Sequence, residues 1–292
     1  MRRTLALLLT VIMAVFALAS CADNSVDISK ATSIADLEGA KIAAQSGTFH
    51  AEAMNQIKNV KGSTYPEFSD MLIALKSGAI DGYIAEEPTA LAVCPGDETL
   101  DYLHLVNNST GFTATDKQVG VAIAVAKGSE LGASISAVLD SIPADTRYEL
   151  MLQMADICAG KTVTSLALTS EAPANPTGTL RIAMECAYEP YNWTDLNTPS
   201  LGAVPIYGEG GKVQEGRYAN GYDVQVAQYV ANKLGLRLEV YAYDWDSLIP
   251  AVQSGAVDCI VAGMSPTPER EAEVDFTSMY YTSNLVVIYR KK

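Results

Sequence analysis

Met71-Leu-Ile-Ala-Leu-Lys-Ser-Gly-Ala-Ile-Asp81 and Leu248-Ile-Pro-Ala-Val-Gln-Ser-Gly-Ala-Val-Asp258 are two copies of one pattern. Ser77 and Ser254, Gly78 and Gly255, Ala79 and Ala256, and Asp81 and Asp258 are identical. Each copy reads as a short helix closed by a glycine, which supplies the left-handed C-cap, with an apolar strand directly after it. A chain that repeats this helix-to-strand joint is expected to contain two similar α/β lobes. The strands that follow end at Glu86-Glu87-Pro88 and at Gly263-Met264-Ser265. Open parallel sheets bind ligands outside the carboxyl ends of their strands. Both polar endings are therefore expected to face a shared cleft, which makes the protein a two-lobed clamp.

Working outward, apolar segments of strand and helix length alternate: strands over 41–45, 80–85 and 119–126, helices over 50–58, 67–77, 129–141 and 145–159. Residues 161–179 are rich in Thr, Ser, Ala and Pro and lack periodicity, as a linker does; stretched, they span at most about 60 Å. The alternation then resumes with strands over 180–185, 237–243, 257–263 and 285–290 and helices over 222–234 and 247–253. This is the βαβ signature of mainly parallel sheets flanked by helices.

Length and composition agree: 292 residues suffice for two domains, and 49% hydrophobic with 18% charged residues is a globular balance. At the N-terminus, Arg2 and Arg3 precede an apolar run over 5–18 that ends in Leu18-Ala19-Ser20-Cys21. The run is too short for a membrane span and reads as a secretory signal. Leu-Ala-Ser-Cys resembles the bacterial lipobox, which implies cleavage before Cys21 and its lipidation. Removing residues 1–20 takes away two arginines and moves the formal charge from −14 to −16. Such acidity excludes nucleic acid as a partner class. Cys94, Cys158, Cys186 and Cys259 lack disulfide-scaffold spacing and read as buried thiols. His50 and His104 have no metal-ligand spacing to any cysteine, so neither metal nor cofactor is expected.

Several motifs carry a resemblance. Leu180 to Trp193, Asn220-Gly-Tyr-Asp-Val224, Asp244-Trp-Asp-Ser-Leu-Ile-Pro250 and Gly263-Met-Ser-Pro-Thr-Pro-Glu-Arg270 resemble the first lobe of the polar amino-acid binding proteins of bacterial ABC importers. Asp36-Leu-Glu-Gly-Ala-Lys41, Gln45-Ser-Gly-Thr48, Asp81 to Pro88 and Val121 to Ser129 are similar to the second. The resemblance implies a type II periplasmic-binding-protein fold. It also implies a partner permease with a separate ATPase, and an anchored location on the extracytoplasmic face of the membrane. The lobe order is reversed relative to that family, the pattern of a circular permutation. The expected division is a signal at 1–20, a tether at 21–32, lobe 2 at 33–120, a hinge strand and returning helices at 121–160, a linker at 161–178, and lobe 1 at 179–292. On this reading one of the two covalent crossings between lobes is lost, and the final strand still crosses to pair with the other lobe's sheet. A domain-exchanged dimer and the remnant of a tandem protein are the alternatives.

The resemblance also assigns roles. A free amino acid brings a carboxylate, an ammonium and a side chain, each needing a partner when buried. Arg270 is implied for the carboxylate through its planar fork, with Ser265 as hydroxyl donor, and Thr48 and the Phe49 backbone capping from the other lobe. Glu86 and the Gly263 carbonyl are implied for the ammonium. Tyr188 and Trp245 match an aromatic pair that sandwiches the side-chain stem, Glu185 an acidic position that pairs with cationic side chains, and Gln45 reaches in from lobe 2. Trp193 and Tyr191 are wall candidates. This set leans toward arginine or lysine, with glutamine next. A prephenate-like dehydratase using Glu86 or Glu185 as acid or base and a non-transport sensory module are the rival classes.

Overall fold

The computed structural model describes residues 26–291; the signal segment and Cys21 lie outside them. In chain order the strands are β1 Ile42–Gln45, β2 Ser63–Tyr65, β3 Gly82–Glu86, β4 Leu100–Leu103, β5 Gly120–Ala126, β6 Thr179–Met184, β7 Ala187–Tyr188, β8 Asn192–Leu196, β9 Val204–Tyr207, β10 Val213–Asn220, β11 Arg237–Ala242, β12 Cys259–Ile260, β13 Val274–Thr282 and β14 Leu285–Arg290. The α-helices are α1 Phe49–Met54, α2 Phe68–Ser77, α3 Glu87–Val93, α4 Asp116–Val119, α5 Leu131–Asp140, α6 Ala144–Cys158, α7 Tyr222–Lys233, α8 Leu248–Gln253 and α9 Pro268–Glu273.

The repeated sequence makes the same joint twice. Gly78 and Gly255 are left-handed, with φ of 78° and 74°. The Gly78 and Ala79 amides donate to the Leu75 and Ala74 carbonyls at 3.0 and 2.9 Å, and those of Gly255 and Ala256 to Val252 and Ala251 at 3.2 and 3.0 Å, the paired bonds of a Schellman cap. The aspartate that ends each copy then fixes the neighbouring strand. Asp81 accepts the Lys41 amide at 2.8 Å, and Asp258 accepts the Arg181 amide at 2.7 Å. Asp258 also holds the Arg181 guanidinium at 2.6 and 3.2 Å.

Two sheets result. One has five strands in the order β2-β1-β3-β14-β4, the other nine in the order β13-β5-β12-β6-β11-β9-β10-β8-β7. Buried side chains form a large apolar cluster under the nine-stranded sheet and the interlobe face, and a second one around Ile42, Phe112 and Val287 in the other lobe. β14 is not an edge: it pairs antiparallel with β3 (Leu285 opposite Glu86) and with β4. This corrects the expectation that a covalent crossing is lost. The chain passes between sheets once from β4 to β5 and again from β13 to β14, so both crossings are continuous and the chain ends inside the five-stranded lobe. β5 lies between β12 and β13, antiparallel to both.

The structure also differs from the sequence reading in the linker and in several strands. Residues 159–178 contain no helix or strand, yet they are docked: Leu168 is buried, the Ala167 amide donates to Gln153, and Asn232 donates to Ser170. The strands β2, β4, β7, β8, β9, β10 and β13 were not foreseen; Pro205 interrupts β9, Gly216 interrupts β10, and β10 alternates between exposed and half-buried positions over 213–218; β9 adds to β11 and extends the sheet.

An added Cβ at Gly255 meets nothing within 4 Å, so replacement there reports backbone strain alone. Gly255→Ala is expected to lower the unfolding free energy by about 1–2 kcal/mol in urea denaturation, with Gly255→Asn losing less; equal losses would contradict the left-handed cap as the cause.

Candidate functional site

Strand endings from both sheets converge. β1 ends at Gln45 and leads through Thr48, the N-cap residue, into α1; β3 ends at Glu86, which is the N-cap residue of α3. From the other sheet, β6 runs into Glu185 and β11 into the single-turn helix at Trp245, while β12 leads to Gly263, Ser265 and α9, which carries Arg270. Gln45, Thr48, Phe49, Glu86, Tyr188, Trp245, Gly263, Ser265 and Arg270 line one cavity between the lobes. Its free space, about 20 Å³, holds little more than a water molecule, so an amino acid enters only when the lobes separate. Glu185 sits behind Gln45. Trp193 does not join them: it lines a second, interlobe cavity of about 270 Å³ and donates to Asp195 at 2.8 Å, because β8 carries it away from the strand ends.

The polar groups are buried and already engaged with one another. Arg270 donates to the Ser265 carbonyl at 3.0 Å and, across the cleft, to the Gly47 carbonyl at 2.8 Å. Its guanidinium lies 5.1 Å over the Trp245 ring, a cation–π contact. Burial lowers its pKa to about 10, which leaves it a cation at neutral pH. Glu185 accepts from the Gln45 amide at 3.0 Å, a second contact across the cleft; burial, above all, pushes its carboxyl up to about 7. The remaining oxygens of Glu86 and Glu185 are buried with no partner among the described residues. Each is an acceptor aimed at an interior that offers it nothing, and such groups are costly unless a donor arrives.

The aromatic sandwich takes a different form from the one expected. Tyr188 has both faces covered, by Phe68 at 4.2 Å and 10° and by Tyr191 at 4.9 Å and 24°, while Trp245 carries Arg270. A ligand stem reaches Tyr188 only by displacing the Phe68 ring, which comes from the other lobe. Thr48 donates to the Gln45 carbonyl at 2.8 Å, so its hydroxyl proton is in use. His50, Gln118 and Phe68 were not foreseen. His50 and Gln118 line the cavity, and His50 Nε2 lies 3.0 Å from Glu86 Oε1; its nearness in sequence to Thr48 was the one available signal.

Behind the site, Gly263 has φ +58°, and an added Cβ would stand 3.1 Å from the Tyr188 ring. Asp223 of the Asn-Gly-Tyr-Asp motif is fully buried and accepts from Tyr280 at 2.6 Å and Asn192 at 2.8 Å; the Gly263 amide also bonds to it. Among the described residues there is no cluster of metal-ligating side chains and no helix long and apolar enough to cross a membrane, and the four described cysteines are free thiols.

Residues 212–292 match the bacterial extracellular solute-binding proteins, family 3. The arginine-binding extracellular protein ArtP of Bacillus subtilis is 44% identical over 78 residues, 27% of this chain and 31% of that protein. The L-cystine-binding protein TcyA of the same organism is 32% identical over 114 residues, 39% of this chain and 35% of that protein. The chain spans about a third of the length of the curated relatives it matches. Among solved structures, an ancestral arginine-binding protein bound to arginine aligns at 34% identity and a TM-score of 0.24, covering 33% of this chain and 34% of that one. The resemblance to polar amino-acid binding proteins read from the motifs is borne out.

Asp223→Ala strands the Tyr280 hydroxyl and the Asn192 amide and is expected to cost about 2–4 kcal/mol of stability, measured by denaturant unfolding. Burial pushes the Asp223 carboxyl up to about 7 from 3.8, so the fold retains a proton that the unfolded chain gives up. Stability from this group is therefore lost as pH rises through that interval, a fall that Asp223→Asn should remove.

Proposed function

We propose that this chain is the substrate-binding component of an ABC importer, exported by its first 20 residues and anchored through a lipidated Cys21. It closes lobe 2 (33–120, with β14 inserted in its sheet) and lobe 1 (from 179 to the end of β13) over a polar L-amino acid and delivers it to a permease driven by a separate ATPase. Residues 121–160 are the hinge strand and returning helices. The linker at 161–178 joins what were the ends of an unpermuted type II binding fold. No bond is made or broken in the ligand.

One observation carries this reading: Arg270 of the nine-stranded lobe and Glu86 of the five-stranded lobe line the same buried cavity. A buried cation and a buried carboxylate on opposite jaws complement a zwitterion, with Arg270 turning from the Gly47 carbonyl to the ligand carboxylate and the free oxygen of Glu86 taking the ammonium. A ligand that bonds both jaws favours the closed form because only that form offers both partners. Arg270→Ala is expected to weaken amino-acid binding by about 2–5 kcal/mol, thirtyfold or more, in titration calorimetry or tryptophan fluorescence. Undiminished affinity would overturn the carboxylate assignment.

Glu185 supports arginine or lysine as the preferred ligand, with its second oxygen free for a cationic end group. Its bond to the Gln45 amide favours glutamine as the alternative, since an amide already satisfies it. The raised carboxyl separates the two. A cationic side chain must be met by an ionised Glu185, so arginine affinity should rise from pH 5 to pH 8 relative to glutamine affinity, and Glu185→Gln should abolish that rise. A ratio independent of pH and of this substitution would contradict the cationic preference.

A further inference from the structure

The contacts around His50 fix how many protons it carries. The Gln45 carbonyl can only accept, so the Thr48 hydroxyl must donate to it at 2.8 Å. A hydroxyl has one proton. His50 Nδ1, 3.2 Å from the same oxygen, must therefore carry a proton of its own and donate. On the other side of the ring, Nε2 stands 3.0 Å from Glu86 Oε1, a distance at which a proton lies between them. The pair thus holds one proton more than a carboxylate facing a neutral imidazole; with that proton on Nε2 the ring is an imidazolium beside a carboxylate, and the net charge of the pair is zero. Burial favours the arrangement: His50 is 6% and Glu86 3% exposed, and an uncompensated charge there is costly. The surroundings are otherwise sparse in charge. From α2 comes the Phe68 ring, edge-on at 5.7 Å; from α4, uncharged Gln118; from α9, the Arg270 cation. Glu52, on the same helix as His50, acts on Arg270.

Resting on the amino-acid reading above, we propose that His50 is a further residue of the binding site and that an ammonium ligand is taken up at Glu86 in exchange for the proton this pair holds. The ammonium hydrogen-bonds the free Oε2 of Glu86 and supplies the positive charge that His50 supplied before. The Nδ1–H bond breaks, its electron pair stays on the ring, and the proton passes to solvent. Nε2–H remains on Glu86 Oε1 and keeps the carboxylate in place. Thr48 then turns its hydroxyl to donate to Nδ1 and releases the Gln45 carbonyl, which links ligand capture to the segment that reaches Glu185.

Calorimetric titration of the protein with L-arginine and with L-glutamine, at pH 6 in buffers of different ionisation heat, counts the protons released. The wild type is expected to release about one proton from this pair with either ligand. His50→Gln, which keeps an amide donor for Glu86 but cannot ionise, should release none from it. Arginine adds the Glu185 contribution equally in both proteins, so the difference between them isolates His50. For L-glutamine, which does not require Glu185 to ionise, wild-type affinity should rise with pH across the acid range, by up to tenfold per unit, and that of His50→Gln should not. The chain has only two histidines, His50 and His104, so nitrogen resonances of the wild type give an independent reading: both ring nitrogens protonated before ligand, one after. Equal proton release by the two proteins, or a singly protonated His50 ring before ligand, would overturn the proposal. A wild type that takes up neither amino acid would instead overturn the underlying reading, and this proposal with it.

Discussion

The insertion of β14 between β3 and β4 is the constraint on which the molecule depends. Without that strand the five-stranded sheet would be left as β2-β1-β3, with β4 detached from it. Its backbone bonds, with Leu285 placed opposite Glu86, join the end of the chain to a sheet built by the first hundred residues. Since β13 and β14 are separated by only Ser283 and Asn284, the position of one sheet relative to the other is set by a two-residue connection, with the β4–β5 segment as its companion. Asn107 reinforces the junction by bonding Leu285, Asn284 and Ser283.

From that constraint the site follows. Parallel strands in both sheets end at the interlobe gap, so the residues just beyond β1, β3, β6, β11 and β12 meet there whatever their order in the chain. The groups that meet satisfy one another in part: Arg270 with Gly47, Glu185 with Gln45, Glu86 with His50, Tyr188 with Phe68. Three of these four contacts cross the cleft; the bond between Glu86 and His50 lies within one lobe. A ligand able to replace the crossing contacts pays little to bring the lobes together, because few buried polar groups change from paired to unpaired without compensation. Specificity then rests on what the internal partners cannot supply, chiefly donors for the second oxygens of Glu86 and Glu185.

Much of this was legible in the sequence, and for identifiable reasons. Gly78 and Gly255 mark helix ends because no other residue takes a left-handed backbone so readily, and the aspartates that follow announce the strand joint. Residues at strand ends are legible because sheet topology dictates where they lie. What could not be read were relations between side chains far apart in the chain. Nothing local to Phe68 tells that it covers Tyr188, and nothing near His50 tells that Glu86 lies beside it. Order along the chain likewise does not reveal whether a terminal strand lies at an edge or inside a sheet, which is why the loss of a crossing was inferred and β14 proved to be interior. Trp193 was drawn into the site by its nearness to Tyr188 and Tyr191, whereas β7 and β8 form a hairpin that directs it into the neighbouring interlobe cavity.

The claim at the centre of this account is that two sheets, joined through β14, close as one unit on a single ligand. Hydrogen exchange with and without a bound amino acid tests it most directly. Amides at 45–50 and 86–88 in one lobe and at 263–267 in the other should gain protection together, at the same ligand concentration. Protection confined to one lobe, with the other unchanged at saturation, would contradict it.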